Sequence, residues 1–118
     1  MSLLNKICNP CRGDIPPLSS ELTAELLLEL DNDWIIDKSG KLYKEYHFTD
    51  FVKTMAFANK VAYLAEKEGH HPDLVISWGK CIVQIWTHKI NGLTENDFIL
   101  AAKIENFMSI NRNISTKY

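Results

Sequence analysis

The sequence lacks the long apolar run, the secretory signal and the excess of one charge that would indicate a membrane, secreted or nucleic-acid-binding protein. No apolar stretch approaches the roughly 20 residues of a membrane helix, and the opening Met-Ser-Leu-Leu-Asn-Lys has no apolar signal region. The 13 basic and 15 acidic side chains nearly balance, with a net charge of −2. Nucleic acid and anionic membranes are therefore not expected as partners, and we expect a cytoplasmic protein.

Cysteine is also scarce, and its three copies are an odd number. An odd number suits a reducing compartment better than a secreted disulfide framework. Cys8 and Cys11 form one CxxC pair, but a structural zinc site takes about four ligands and the N-terminal segment offers no second pair. Metal binding or redox chemistry there is a minor alternative, and we expect no metal. Cys81 lies in an alternating apolar run and is expected in the core.

Three of the four prolines lie near the start of the chain, at Pro10, Pro16 and Pro17, together with Gly13. They predict an irregular N-terminal arm over residues 1–18. The rest of the chain, residues 19–118, is predicted to form a single domain. The composition, with 46% apolar and 24% charged residues, suits one hydrophobic core that needs no disulfide or structural metal.

After the arm, the apolar residues follow helix and strand periodicities in turn. Ser19, Thr49 and Thr94 are the predicted N-caps of three helices, and Asp97 completes a capping box with Thr94. Gly69 is expected to end the second helix in a left-handed conformation. The predicted strands form two hairpins, 34–38 with 41–48 and 74–78 with 81–88.

This element order, α-β-β-α-β-β-α, predicts an α+β fold in which a four-stranded antiparallel sheet carries the helices on one face. Such a sheet has two open edges, which another subunit could cover by continuing the strands. We therefore expect at least a homodimer. In the fourth strand, alternation predicts that Ile82, Gln84, Trp86 and His88 share one face.

Three histidines are the candidates for chemistry. His70 and His71 precede Pro72 in the connection after the second helix, and a proline restricts the backbone of the residue before it. His88 ends the fourth predicted strand, which runs back toward the start of the third, so the three imidazoles could converge. Because imidazole can donate or accept a proton near neutral pH, such a cluster suits general acid and base catalysis.

Each candidate also has a purely structural explanation. A His-His-Pro loop is more often a solvated connection, and adjacent histidines are a poor zinc pair compared with the helical HExxH spacing. Asp97 alone would be a helix cap, and Glu66 alone a solvated residue of the second helix. His47 is expected to be a surface or packing residue. These features alone leave the function open.

The full set of these residues, with their spacing, is more specific for a function than any one of them. It closely resembles the signature of the pterin-4a-carbinolamine dehydratases. The matching positions are Glu66, His70, His71, Pro72, Trp78, His88 and Asp97. The resemblance extends from about Ser19 to Met108, in a matching order of elements. The N-terminal Cys8-Asn9-Pro10-Cys11 is similar to the arm of bacterial members.

The resemblance implies a lyase that removes water from 4a-hydroxytetrahydropterins, the products of aromatic amino acid hydroxylases, to give quinonoid dihydropterins without a cofactor. It implies that His70, His71 and His88 are catalytic. We expect His70 and His88 to exchange protons and His71 to position the pterin, although these roles could be interchanged. The other residues expected around the pterin are Glu66 and Asp97 as orienting carboxylates, Trp34 as a flat wall, and Pro72 and Thr87 as lining.

Two other functions stay open. Some vertebrate relatives of this fold serve as a dimerisation cofactor of a homeodomain transcription factor, so a binding-only module is the main alternative. A small histidine-ligated metalloenzyme is a third possibility, whose activity would depend on deprotonated ligands. The resemblance is compatible with a homodimer or a homotetramer.

Overall fold

The computed structural model describes residues 3–9, 16–30 and 33–114, with side chains described as far as Met108. The helices are α1 Ser20–Leu28, α2 Phe51–Glu68 and α3 Glu95–Ile114. The strands are β1 Ile35–Ile36, β2 Leu42–His47, β3 Asp73–Ser77 and β4 Lys80–Ile85. Short 3-10 turns cover Leu3–Asn5 and His88–Ile90. The predicted α+β class and element order are confirmed.

The helix ends follow local hydrogen bonding, with one correction to the sequence prediction. Ser19 caps α1 and Gly69 ends α2 in a left-handed conformation, φ 68°, as predicted. The N-cap of α2 is Asp50, however, and the prediction of Thr49 was wrong. Asp50 has the extended backbone of a cap, and its carboxylate accepts from the backbone N–H of Lys53 at 2.8 Å. The hydroxyl of Thr49 instead accepts from the Lys53 side chain.

The four strands are all antiparallel and lie in the order β1-β2-β4-β3, so the two hairpins join through the pairing of β2 with β4. At the second hairpin turn, a Cβ on Gly79 would lie 2.8 Å from the carbonyl oxygen of Phe48, which only glycine avoids. β4 ends before His88, earlier than predicted. The reason is that Ile85 already pairs with Leu42, the first residue of β2, so β4 has no further partner strand there.

The core lies between the sheet and the helices. Alternate residues of the two central strands point into it, as period-2 alternation requires. The buried residues include Leu42, Tyr46, Cys81, Val83 and Ile85 from the sheet, and Phe57, Val61, Phe98 and Ile104 from the helices. The opposite, open face of the sheet carries the remaining residues, which are half-buried or exposed. Within the described residues, no helix is both long enough and apolar enough to cross a membrane.

The first described segment, residues 3–9, is docked on the domain. Leu3 is only 2% exposed and belongs to the core. Lys6 pairs with Glu95, at the start of α3. The side chain of Asn96 accepts from Asn9 N at 2.9 Å and donates to Asn9 O at 2.7 Å. The division of the chain at residue 18 stays a prediction, and Cys11 of the predicted CxxC pair lies outside the described residues.

We predict that Leu3→Ala lowers the free energy of unfolding by about 2–3 kcal/mol, because truncating a buried leucine removes apolar contacts and leaves a cavity. Urea denaturation followed by circular dichroism measures this change. The matched control is Leu4→Ala, because Leu4 is 37% exposed; its effect should be clearly smaller. Equal midpoints for the Leu3 variant and the wild type would show that the segment does not contribute to the core in solution.

Candidate functional site

The best-defined part of the site is a buried pair between His70 and Asp97. Gly69 turns the chain at the end of α2, and the N–H of His70 still bonds to the carbonyl of Ala65 at 3.2 Å. This turn directs His70 inward, where its side chain is almost fully buried. Its Nε2 lies 2.5 Å from Oδ1 of Asp97. Because a carboxylate accepts, Nε2 carries the proton, and Nδ1 is the acceptor nitrogen of the neutral ring.

The other oxygen of Asp97 joins two further segments. Oδ2 accepts from Thr94 N at 2.8 Å, the capping contact predicted from the sequence, and from the Thr87 hydroxyl at 3.0 Å. The hydroxyls of Thr87 and Thr94 lie 2.9 Å apart. Asp97 is in the first turn of α3, where the helix dipole favours a negative charge. A fully buried carboxylate is thereby satisfied by groups from the end of α2, the end of the sheet and the start of α3.

His71 has a different environment from its neighbour. Its imidazole Nε2 lies 2.5 Å from Oε2 of Glu66, in the last turns of α2, and both side chains are mostly exposed to solvent. Pro72 follows and is half-buried. An exposed pair of this kind adds little stability, but it restricts the orientation of the ring.

His88 begins the 3-10 turn after β4, and its side chain is exposed. Its ring lies against Trp86, with the two ring centroids 4.0 Å apart and the planes tilted by 50°. The preceding residue, Thr87, is buried in the Asp97 network, and its backbone N–H bonds to the carbonyl of Gly92 at 2.8 Å. The structure thus gives the three candidate imidazoles three different partners, and Thr87 connects the His88 segment to the His70–Asp97 pair.

Two of the remaining residues lie apart from these contacts. Trp34, the predicted flat wall, is 2% exposed and packs edge-on against Tyr46 in the core, with ring centroids 6.4 Å apart. Its role in binding a pterin stays a prediction. His47 is exposed on β2 and lies 3.4 Å from a carboxylate oxygen of Glu45, as expected of a surface residue.

Hydrogen bonds to a charged residue, Glu68, fix the C-terminal end of α2. Burial alone would raise the pKa of Glu68, but hydrogen bonds from Lys103 Nζ, at 2.8 Å, and from Cys8 N, at 3.1 Å, bring it below its usual value. Burial, followed by the nearby charge of Glu68, raises the pKa of the Cys8 thiol to about 12. Burial raises the pKa of Cys81 to about 11. Both thiols are therefore protonated at neutral pH and are poor nucleophiles.

Among the residues that the structure describes, no group of three or more histidine, cysteine, aspartate or glutamate side chains is arranged to hold a metal ion. One contact of the site was not anticipated from the sequence, namely the packing of Trp86 against His88. The alternation of the fourth predicted strand placed both residues on one face and was the signal that could have identified this contact.

We predict that Asp97→Ala lowers the free energy of unfolding by about 3 kcal/mol or more, because it leaves buried donors without an acceptor. Glu66→Ala, the matched control, removes the carboxylate of the other histidine pair and should cost less than about 1 kcal/mol, because that pair is solvated. Chemical denaturation of both variants measures the difference. Similar costs for the two substitutions would contradict the buried network.

Comparison with known proteins identifies the family. Residues 16–107 match the family model described as pterin 4 alpha carbinolamine dehydratase. A relative from Rickettsia bellii, provisionally named a pterin-4-alpha-carbinolamine dehydratase, is 62% identical over 104 residues, which cover 88% of this chain and 92% of the relative. A relative from Methylococcus capsulatus with the same provisional name is 49% identical over 104 residues, which cover 88% of this chain and 91% of the relative.

A solved structure agrees with these sequence matches. The crystal structure of a transcriptional coactivator/pterin dehydratase from Brucella melitensis superposes with a TM-score of 0.70 at 30% identity, covering 76% of this chain and 96% of that chain. The family match spans most of the described fold and includes every residue of the His70–Asp97, His71–Glu66 and His88–Trp86 pairs. The chain therefore belongs to the pterin-4-alpha-carbinolamine dehydratase family.

Proposed function

We propose that this protein dehydrates 4a-hydroxytetrahydropterins to quinonoid dihydropterins by general acid and base catalysis with histidine side chains. The observation that carries the proposal is the buried network of Asp97, which orients His70 and holds Thr87 next to His88. Family membership supports a dehydratase activity in general. The arrangement of the histidines supports the specific chemistry.

The reaction needs two proton transfers. The departing 4a-hydroxyl must receive a proton as the C–O bond breaks, so that it leaves as water. A ring nitrogen of the pterin must lose a proton, and the electron pair of that N–H bond becomes part of the new C=N double bond. One acid and one base in the correct positions are sufficient for this elimination, which requires neither a nucleophile nor an oxidant.

The environments of the three histidines suggest how the roles divide. His70 is oriented by a buried carboxylate, which supports the imidazolium that forms when the ring accepts a proton. His88 is exposed, with its ring packed against Trp86, and is the second proton-exchanging group. His71 is paired with Glu66 in solvent and positions the pterin, with Pro72 and Thr87 lining the site.

The biological setting follows from the substrate. A 4a-hydroxytetrahydropterin is the product of an aromatic amino acid hydroxylase, so this activity would return the pterin cofactor to its recycling route. The reaction would take place in the cytoplasm, because an odd number of cysteines suits a reducing compartment.

The decisive experiment generates a 4a-hydroxytetrahydropterin in situ and follows its loss by ultraviolet absorbance, with and without the purified protein. We expect the protein to accelerate dehydration well above the spontaneous rate. The Brucella melitensis structure carries the name of a transcriptional coactivator as well as a dehydratase. A rate equal to the background would refute the dehydratase proposal and favour a binding module.

Histidine variants test the mechanism. His70→Ala and His88→Ala should each lower turnover by about a hundredfold, the usual contribution of a lost acid or base. His47→Ala is the control, because His47 is an exposed histidine whose described partner is Glu45. Circular dichroism should show all three variants folded. Wild-type turnover in both the His70 and the His88 variants would exclude this assignment.

We further propose that the protein is at least a homodimer, joined through the free edge of β3. This strand pairs with β4 on one side and carries the exposed apolar side chains Val75 and Ile76; Trp78, in the turn that follows, is 67% exposed. An unpaired apolar edge is a ready template for another strand.

Sedimentation velocity should therefore give a mass of at least two chains for the wild type. Val75→Lys should shift the protein toward monomer, because a lysine on the edge opposes strand pairing. Leu28→Lys, which replaces a more exposed apolar residue on α1, should leave the mass unchanged. A monomeric wild type would refute the dimer, and a homotetramer would require a second interface.

A further inference from the structure

Three side chains form a stack at the end of the sheet, on its open face. The ammonium group of Lys41 lies over the indole of Trp86, 3.8 Å from the ring centroid. The imidazole of His88 lies against the same indole, with centroids 4.0 Å apart. Lys41 directly precedes β2, Trp86 directly follows β4, and His88 begins the next turn.

We propose that Trp86 is a positioning residue, which holds the imidazole of His88 in the orientation needed for proton transfer, and that Lys41 holds Trp86 in turn. This inference rests on the proposed function, because it concerns one of the histidines assigned to it. Trp86 itself is not required to contact the substrate.

The main argument comes from comparing the three histidines. His70 is oriented by Asp97 and His71 by Glu66, each through a hydrogen bond between ring Nε2 and a carboxylate oxygen that accepts. In the described part of the chain, His88 has no hydrogen bond or ion pair of this kind, and its described side-chain contact is with the indole of Trp86, tilted by 50°. An exposed side chain without such a contact would sample several rotamers.

Trp86 is itself well anchored. It directly follows β4 and precedes Thr87, whose side chain and backbone are both bonded, to Asp97 and to Gly92. Its indole can therefore act as a fixed surface.

Lys41 is anchored as well. Its backbone N–H donates to Oδ1 of Asp37 at 3.1 Å, and its carbonyl accepts from Asp37 N at 2.9 Å. The other oxygen of Asp37 accepts from Gln84 on β4 at 2.9 Å. These bonds tie the base of the Lys41 side chain to the strand that leads to Trp86. A cation over an indole is an attractive contact that helps to hold the ring.

The orientation of His88 by contact with Trp86 has a chemical consequence that a hydrogen bond to a carboxylate would not have. A hydrogen bond donated to an Asp or Glu carboxylate occupies one imidazole nitrogen, whereas the contact with Trp86 makes no hydrogen bond to either nitrogen of His88. The ring of His88 can then donate from one nitrogen and accept at the other during proton exchange with a bound pterin.

Kinetics of Trp86 variants test the proposal. Trp86→Ala should lower kcat by about tenfold, because a mobile base spends less time in the reactive geometry. KM should change by less than about twofold, since the lost interaction matters mainly in the transition state. Trp86→Phe should restore most of the activity because it keeps a flat ring. Trp86→Leu, which keeps the bulk without the ring, should behave like the alanine variant if both are folded.

A double-mutant cycle separates positioning from a general structural effect. In a His88→Ala background, Trp86→Ala should cause little further loss, because a residue that acts through His88 has nothing left to position. The matched control is Tyr43→Ala, which removes another aromatic ring from the open face of the sheet and should retain wild-type kcat. Wild-type kcat for Trp86→Ala, or fully additive losses in the cycle, would overturn the inference.

Nuclear magnetic resonance provides a test that does not depend on activity. The chain has three tryptophans, and the indole N–H signal lost in Trp86→Phe identifies that of Trp86. This signal should move over the pH range in which imidazoles change their charge, and the movement should disappear in His88→Ala. If the wild type proves inactive, the proposed function fails, yet the pH response still tests the stack. An indole signal that responds identically with and without the His88 imidazole would refute the contact.

Discussion

The site depends on one buried carboxylate. Asp97 accepts from the ring of His70, the hydroxyl of Thr87 and the backbone N–H of Thr94, which belong to three different segments of the fold. A carboxylate without such partners could not stay ionised in the core at acceptable cost. The same bonds that satisfy the charge therefore fix the end of α2, the end of β4 and the start of α3 relative to one another. The candidate catalytic groups are attached to these three segments.

The three candidate histidines differ mainly in how they are restrained. His70 is buried against a carboxylate, His71 is exposed beside a carboxylate, and His88 is exposed against an aromatic ring. Burial makes a hydrogen bond stronger and more restrictive, whereas solvent weakens it. Such differences allow side chains of the same type to perform different steps in one reaction.

The N-terminal segment, residues 3–9, contacts the helices next to the site. Cys8 N and Lys103 both donate to Glu68, two residues before the histidine pair, while Asn96 holds Asn9 next to Asp97. Leu3 fills part of the core beside α3. The described part of the arm, which was predicted to be irregular, therefore contacts α2 and α3, the two helices next to the His70–Asp97 pair.

Much of the fold could be predicted because it depends on interactions between near neighbours. Alternating apolar residues, the Ser19 cap and the left-handed Gly69 are local features, so the α+β class, the element order and most helix ends followed from the sequence. The histidines could be identified by type and spacing, and the family by its signature. Even locally, the N-cap of α2 was predicted one residue too early, at Thr49 instead of Asp50, because both types of side chain can accept the capping bond.

The tertiary structure decided which distant groups meet. It ended β4 at Ile85 because β2 offers no partner beyond Leu42, and it buried Trp34 in the core. It also placed Lys41 over Trp86 next to His88. Contacts of this kind depend on strand order, register and helix packing, which no short stretch of sequence contains. The sequence by itself determined the chemical groups and the local elements, and only packing determined their partners.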